Sequence, residues 1–495
     1  MGLMRRGLNT IMNNQYKFIF IIFVLGLFSV GDKAFAANII VNDSNGSVAS
    51  NGLCSISEAI LNSNQNNQSG STDCISGNGI DTITIVTDIE LTDFYANGFN
   101  NSSATPFITD SVIFDGQGHT ITRNSISDFR FFHASSNPVS IYFNNLVLVN
   151  GNSFAGGFLY VVDIDRLEIS KVRFQDGTSS WEGGAAYIND VSNGVLMKDV
   201  IFDSNNAGIG GAVYINDADT IIREGKFINN NASAFYGGAI SFSYGSISIF
   251  DTLFDTNSGG VIYFSGGSGF SANIPVRIES STFLNNQNVS GASVIKSEST
   301  MDLRILNTTF SGNETSDGSL ISVYDQDTKI NIGYTTFYGN NSLNNQGVIK
   351  LLYFTPQELN IENSIFAENI GGECLINGLS ANLVNNLSND GTCGSVQPTG
   401  VSNSIALNGG ITPTHSLSYG SNAIDNAVTN IPGLKFKCPK YDQRRIVRGF
   451  DGNNDGISAC DIGAFEFNKR NLTNAVGLTS VSSQSVKEVV KEVKR

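Results

Sequence analysis

The sequence predicts an all-β chain wound as a right-handed parallel β-helix of about 27 residues per coil. The first observation is the phrase Phe-x-x-Asn, at Phe202–Asn205, Phe227–Asn230, Phe254–Asn257, Phe283–Asn286, Phe310–Asn313, Phe337–Asn340 and Phe366–Asn369. The Phe-to-Phe steps are 25, 27, 29, 27, 27 and 29, and Phe174 is an earlier copy with Gly177 in the Asn slot. A period of this length marks a stacked-repeat architecture. The second observation is a set of Gly pairs, at 156–157, 183–184, 210–211 and 237–238, recurring every 27 residues. The third is a series of short alternating runs, such as Gly210–Ile215 and Ser246–Phe250, bounded by turn residues. These are strands, and nothing between them is long enough for a crossover helix.

Stacking one copy per coil brings like residues over like, roughly 4.8 Å apart. The Phe column then forms an internal aromatic stack. The Asn column can form an amide ladder at a tight turn. The Gly pairs supply positive φ or close backbone approach at another corner. All three columns are expected to be structural, with no ligand needed to explain them.

Along the chain, residues 1–36 read as an export signal. Arg5, Arg6 and Lys17 precede the apolar run Phe18–Val30, and Ala34-Phe35-Ala36 is a small-x-small cleavage site. Its removal takes four basic and one acidic residue and moves the net charge from −15 to −18. Such an acidic chain is a poor partner for nucleic acid, and no transmembrane segment is expected in the mature chain. Residues 37–100 form an N-terminal cap. Asn38–Val41 is a strand, and Ser55 with Glu58 makes a capping box that starts a short helix. Ile56, Ala59 and Ile60 give that helix an apolar face to lay over the first coil. The run Asp81–Ile85 opens the strand series, and Asp115-Gly116-Gln117-Gly118 is a turn between strands. The repeats occupy 101–370 and a C-terminal cap 371–467. A polar tail, 468–495, ends in Ser485–Arg495, where Ser485 and Glu488 form a second capping box and Val486, Val489, Val490 and Val493 share one helical face; so short a run makes a marginal helix, and a frayed tail is expected ahead of a partner-docking helix.

The six cysteines form three couples by nearness: Cys54/Cys74, Cys374/Cys393 and Cys438/Cys460. Fifteen pairings are open in principle, and nearness alone selects this one. In an exported chain they argue for disulfides, each closing a loop of about 20 residues worth roughly 3 kcal/mol. They are expected to staple the two ends of the solenoid. No CxxC spacing supports zinc.

The termini also resemble a known family. Cys54–Ile60 followed by Asp81-Thr82-Ile83 is similar to the CSLREA domain of bacterial exported proteins, though Ile56 and Ser57 stand where that motif has Leu and Arg. At the other end four motifs occur in order: Asn408–His415, Gly420–Asp425, Asp442-Gln443-Arg444 and Cys460–Glu466. They resemble the choice-of-anchor Q domain. The resemblance implies a pectate-lyase-like right-handed β-helix, exported and often held at the cell surface. The Phe-x-x-Asn and Gly-Gly-Ala columns further resemble the repeats of polymorphic outer-membrane adhesins, whose membrane barrel has no counterpart after Glu466.

For chemistry, Asp451, Asn453 and Asp455, followed by Gly456 and closed by the Ile457 carbonyl and Asp461, have the alternating oxygen pattern of an EF-hand-type calcium loop. The twelfth position is Ile462, however, and the same run reads as an Asp/Asn/Gly-rich turn tied by Cys438–Cys460; apart from a structural Ca²⁺ at this loop no cofactor is expected. The catalytic candidates are the acid pairs Asp163/Asp165 and Asp217/Asp219, with Arg166 and Arg223 nearby; such pairs serve glycosidases, or lyases with a cation. They read equally well as turn acids. The three histidines, His119, His133 and His415, fall in a turn, a strand and the end motif. The expected function is non-catalytic: an exported or cell-surface β-helix for adhesion or for binding glycans or proteins. A polysaccharide lyase or glycosidase is the first alternative, and a structural envelope or matrix component the second.

Overall fold

The computed structural model describes residues 36–95, 102–265, 274–288, 293–316, 318–324, 328–351, 358–376 and 381–468. The expected export signal (apart from Ala36) and the tail helix around Ser485 and Glu488 lie outside the described residues. No helix among those described is long and apolar enough to cross a membrane.

The chain is a parallel β-solenoid. One full coil runs through the strands Val195–Lys198, Ile201–Asp203, Asn206–Ile209 and Val213–Asn216 before Thr220–Arg223 begins the next. Each strand pairs in parallel with its counterpart one coil away, as in Val195↔Thr220 and Phe202↔Phe227. The described strands form ladders of 23, 10, 4 and 3 strands, and a separate antiparallel hairpin joins Val401–Ala406 to Thr414–Leu417.

The Phe column is internal and continuous. From Phe174 to Phe366 the rings stack at 4.6–5.0 Å with interplanar angles of 2–16°. The Asn column is fully buried from Asn205 to Asn340. Each Asn makes the same set of bonds. The Asn257 amide Nδ2 donates to the Phe227 carbonyl at 2.8 Å and to Asn286 Oδ1 at 3.0 Å, while its backbone N–H donates to that same Oδ1 at 2.9 Å. Gly177, lacking an amide, ends the series by donating its backbone N–H to Asn205 Oδ1 at 2.9 Å.

Two further columns bracket every Phe strand. The residue three before Phe and the residue two after it take positive φ, as in Asp251 and Thr256 around Phe254, or Asn307 and Gly312 around Phe310. These are the two corners of the coil. The Gly pairs make a third. Gly183 and Gly210 have φ of 64° and 61°, and a Cβ on Gly184 would stand 2.1 Å from the Gly211 carbonyl oxygen. Both expected roles of the pairs are therefore used, one by each glycine.

At the N-terminal end the helix spans Ile56–Gln65, and its capping box forms: Ser55 Oγ accepts from the Glu58 N–H and Glu58 returns to the Ser55 N–H. Ile56, Ala59 and Ile60 are buried in one core with Ile39, Ile83 and Ile85.

All three cysteine couples are bonded, Cys54–Cys74, Cys374–Cys393 and Cys438–Cys460, with Cα atoms 4.8, 5.3 and 6.2 Å apart. They do not share one role. Cys54–Cys74 brackets the helix, and both sulfurs are buried in the solenoid core beside Ile56 and Ala59. Cys374–Cys393 lies in that same core at the other end, where Cys374 opens the last strand of the 10-stranded ladder and Cys393 is fully buried. Cys438–Cys460 belongs to a separate apolar cluster with Phe436, Leu306 and Tyr334. It therefore corrects the expectation that every disulfide staples an end.

The reason is the path of the C-terminal segment, which also departs from expectation. Strand pairing continues past Ile370 through Cys374–Ile376, Ala381–Val384 and Leu387–Ser388. The chain then turns back and lies along the side of the solenoid, carrying the third disulfide with it. Gln443 reaches across 161 residues, donating to Thr282 Oγ1 at 2.8 Å and accepting from Thr309 Oγ1 at 2.6 Å. His415 stacks on Tyr338 at 4.2 Å and hydrogen-bonds Ser311 at 2.8 Å. Gly463 sits so close that a Cβ would meet the Ile365 side chain at 2.6 Å. What draws the segment there is apolar and hydroxyl surface. Thr282, Thr309, Thr336 and Ile365 point outward from the Phe strands yet are buried, and this segment buries them.

The ladder sets a stability test. Asn286→Ala removes two donated bonds and orphans the Asn257 N–H and amide. With a net cost of about 1–3 kcal/mol per unsatisfied buried group, we expect a loss of about 3 kcal/mol or more in chemical denaturation. A loss under about 1 kcal/mol would show the ladder to be incidental.

Candidate functional site

The folded-back segment and the solenoid side face enclose a groove. Its floor is built by outward positions of parallel strands in register, Ser248↔Arg277↔Arg304↔Asn331. The inward residues Val276, Ile278, Leu303 and Ile305 are buried and fix these strands, so alternation alone turns the arginines out. One compartment of about 480 Å³ is lined by Ser246, Ser248, Arg277, Asp302, Arg304, Asn331 and Lys435. A second, of about 680 Å³, is lined by Arg223, Asp251, Glu279, Lys440, Asp442 and Arg445 among others.

Together the linings hold six cations, Arg223, Arg277, Arg304, Lys435, Lys440 and Arg445, against four carboxylates. One of the four, Asp442, is fully buried and already paired with Arg444 at 2.6 Å. In a chain of net charge −15, this is a local reversal of sign. The cations are oriented. Arg277 makes a bidentate pair with Glu279 at 2.7 and 2.8 Å, and Arg304 lies 3.6 Å from the same carboxylate. Arg304 stacks on Phe436 at 4.3 Å, and Arg223 and Arg277 flank the Phe250 ring at 4.3 and 5.1 Å. Phe436 is placed by its own backbone, since Glu362 accepts from the Lys435 and Phe436 N–H groups at 2.8 and 2.9 Å.

The protonation of these cations bears on chemistry. Hydrogen bonding to Glu279 raises Arg277, Glu358 raises Lys435, and Asp251 raises Arg445. Each is held more firmly in its charged form, which suits binding an anion and opposes service as a base.

The sequence candidates fall elsewhere. Asp163 is exposed and accepts from Asn137 Nδ2 at 3.2 Å; Asp165 accepts from Ser140 Oγ at 3.1 Å and Asn193 Nδ2 at 2.6 Å. Arg166 is paired with Glu168 at 2.6 Å. Asp217 and Asp219 are exposed turn residues, and Asp219 accepts from the Ser246 N–H and hydroxyl at 2.8 and 2.7 Å. That contact puts Asp219 at the groove margin and commits its oxygen to holding the turn.

Four of the five calcium candidates share one turn, and the fifth, Asp461, is turned away from it. Asp451, Asn453 and Asp455 share an exposed turn, where their oxygens accept from the Gly456, Asp455 and Ile457 N–H groups at 2.8–3.0 Å. Ile457 is exposed in the same turn. Asp461 turns the other way into the interior, accepting from the Asp425 N–H at 2.8 Å and from the Phe467 N–H. It joins the buried pair Arg448–Glu466, 3.2 Å apart. The Asp451, Asn453 and Asp455 side chains hold the loop as an Asx-type turn. The six cysteines, Cys54, Cys74, Cys374, Cys393, Cys438 and Cys460, are all consumed by disulfides and lie outside the groove.

The groove was missed by sequence reasoning, although one signal was present. Arg277 and Arg304 are 27 residues apart, one period, so they share a register position. Lys435 and Phe436 carry no such signal.

No family model matches the chain, and no curated protein matches it. Among solved structures, the crystal structure of pectate lyase Pel9A is similar over 87% of this chain and 96% of that chain, at 13% identity and a TM-score of 0.40. At that score the likeness carries no argument. The solenoid rests on the strand register itself, and no family model bears out the expected CSLREA and choice-of-anchor Q domains.

Two outcomes follow. Melting temperature in excess EGTA should equal that in Ca²⁺, because Asp461 is withheld from the loop; a rise of several degrees with Ca²⁺ would overturn this. Stability should also depend on pH. Burial pushes Asp255 up to about 6 and Glu373 to about 7, and raises Asp461 with help from Glu466. The folded state keeps these protons after the unfolded carboxyls have released theirs, so stability present in acid is lost as pH rises through those values. His133 and His415, lowered to about 4 by burial, act oppositely, but only below their unfolded value of 6.5. Between about pH 6.5 and 8.5 the carboxyls alone set the slope, and the melting temperature should fall. Glu373→Gln should flatten that fall.

Proposed function

We propose that the chain is an exported, cell-surface or secreted β-helix that binds an extended anionic glycan along its side face without cleaving it. The observation that carries this reading is the groove: six cations, three of them stacked on aromatic rings, with Arg277 and Arg304 one coil apart in the same register row, in a chain of net charge −15. A polyanion laid along the axis meets one outward row of the sheet per coil, roughly every 4.8 Å. Three disulfides support the exported setting.

The non-catalytic part is supported by protonation. A lyase needs a neutral Arg or Lys beside the sugar, whereas Arg277, Lys435 and Arg445 are held charged by Glu279, Glu358 and Asp251. A glycosidase needs a carboxyl pair facing the ligand; of the sequence candidates Asp219 alone reaches the groove margin, with its Oδ1 holding Ser246.

The test uses the mature chain with polygalacturonate and with a sulfated glycan. Binding should weaken steeply with added salt, and the double variant Arg277→Ala/Arg304→Ala should raise Kd by about tenfold or more with the fold intact by circular dichroism. No unsaturated uronates or reducing ends should appear, with or without Ca²⁺. Turnover abolished by Asp217→Ala or Asp219→Ala would replace this reading with the enzymatic one. Absence of any glycan binding would leave a structural envelope component.

A further inference from the structure

We infer that the strand Thr178–Glu182 carries a second binding site, for the pyranose ring of a neutral sugar, with Trp181 as its stacking surface. Trp181 is the chain's one tryptophan, and it stands 51% exposed on an ordered strand. Phe154, one coil earlier, is 42% exposed. Neither belongs to the groove, and the inference does not rest on the reading given for it.

The exposure is built in. The strand pairs with Asn152–Ala155 on one side and Asn206–Ile209 on the other, and the register shifts before Glu182 against both. That bulge is pinned by Ser179, a buried residue. Its hydroxyl lies 2.8 Å from the Phe154 carbonyl and 3.0 Å from the Glu182 carbonyl, and it accepts from the Trp181 N–H at 3.2 Å. A bulge re-aims side chains, and this one turns Trp181 outward. On the following coil stands Gly208, where a Cβ would approach the Trp181 carbonyl to 2.8 Å. A glycine there leaves room for the bulged backbone.

A polar rim accompanies the aromatic face. Glu182, the next residue, is half-buried, and burial raises its carboxyl above the usual range. Glu182 has no ion-pair partner among the described residues. It lies near enough to Tyr187 and Tyr214 to disfavour ionisation of both phenols. Tyr160, Tyr187 and Tyr214 stack at 4.8 and 5.2 Å with interplanar angles of 8° and 10°. Their faces cover one another, so they offer hydroxyl edges rather than stacking surfaces.

A pyranose presents a C–H face and a girdle of hydroxyls. An open indole face beside an unpaired carboxylate and a row of phenols matches both parts. The uncompensated Glu182 repels a uronate, so this face selects against the polyanion that the groove attracts.

The single tryptophan makes the test direct. Intrinsic fluorescence of the mature chain is titrated with neutral hexasaccharides of glucose, mannose and galactose, and with polygalacturonate. At least one neutral hexasaccharide should give a saturable change in Trp181 emission, whereas polygalacturonate should not. By calorimetry, Trp181→Ala should raise Kd for that sugar by about tenfold or more, and Glu182→Gln by about threefold. Both variants should keep the wild-type melting temperature within a few degrees, and Arg277→Ala/Arg304→Ala should bind the neutral sugar unchanged. No saturable response to any neutral hexasaccharide, or unchanged affinity in Trp181→Ala, overturns the inference.

Discussion

Everything in this structure depends on coil-to-coil registry, and the buried asparagine side chain is what enforces it. Each amide in the column bonds upward to the next amide and across to the carbonyl of the Phe one coil back, as Asn313 does with Asn340 and Phe283. A coil that slipped by one residue would bury an unpaired amide and point its Phe outward. The bonds therefore select one register, and the Phe stack supplies apolar burial once that register is set. This explains how Phe-to-Phe steps can vary from 25 to 29 while the columns stay aligned. The variation falls outside the short Phe strand with its two positive-φ corners.

The same registry creates the surface on which the C-terminal segment rests. Small hydroxyl residues recur on the outer side of the Phe strands, at Thr282, Thr309 and Thr336. They form a strip whose hydroxyls bond to Gln443, the Pro413 carbonyl and the Ala464 N–H. Docking there buries charge. The Arg448 side chain is fully enclosed, and its two terminal nitrogens donate to Glu466, Asn307 Oδ1 and two backbone carbonyls. Removing one member of such a set is costly because it strands the others. Of the end-motif residues, Gln443 attaches the segment to the solenoid, whereas Asp442, Arg444, Asp461 and Glu466 bond within the segment and hold it together. Lys435 and Phe436 are held over the sheet by Glu362.

Much of the fold was legible because periodicity is a local signal repeated many times. Phe202 to Phe366, the Gly pairs and the capping box of Ser55 and Glu58 each state their role within a few residues. The positive-φ corners were missed, yet they too leave a trace: Asp, Asn and Gly are frequent three before and two after each Phe. What could not be read was any contact lacking a period. Gln443 meets Thr282 across 161 residues, and nothing in either neighbourhood announces the other. Hence the last segment was expected at the end of the solenoid and lies on its side. The disulfides divide along the same line. Nearness pairs Cys54 with Cys74, Cys374 with Cys393 and Cys438 with Cys460 alike, but it cannot say which loop sits on an end coil and which on the side face. Asp461 failed for a related reason. Its spacing from Asp451 fitted a calcium loop, but its burial beside Arg448 is set by tertiary packing that spacing does not encode.

The solenoid also separates the work of folding from the work of binding. Inward positions are constrained by the column above and below, so Phe, Asn and Ile recur there. Outward positions in the same strands meet only lateral neighbours, so Ser248, Arg277, Arg304 and Asn331 can occupy one register row. A change in that row leaves the interior bonds intact. The bulge at Ser179 shows the limit of this freedom. To turn Trp181 out, the strand had to break register, and the break is tolerated because a buried hydroxyl occupies the polar groups it leaves. A surface feature that needs a backbone departure must therefore bring its own interior partner. By that criterion Trp181 is a placed residue, whereas the turn acids Asp163 and Asp217, which need no such support, sit where the coil would bend in any case.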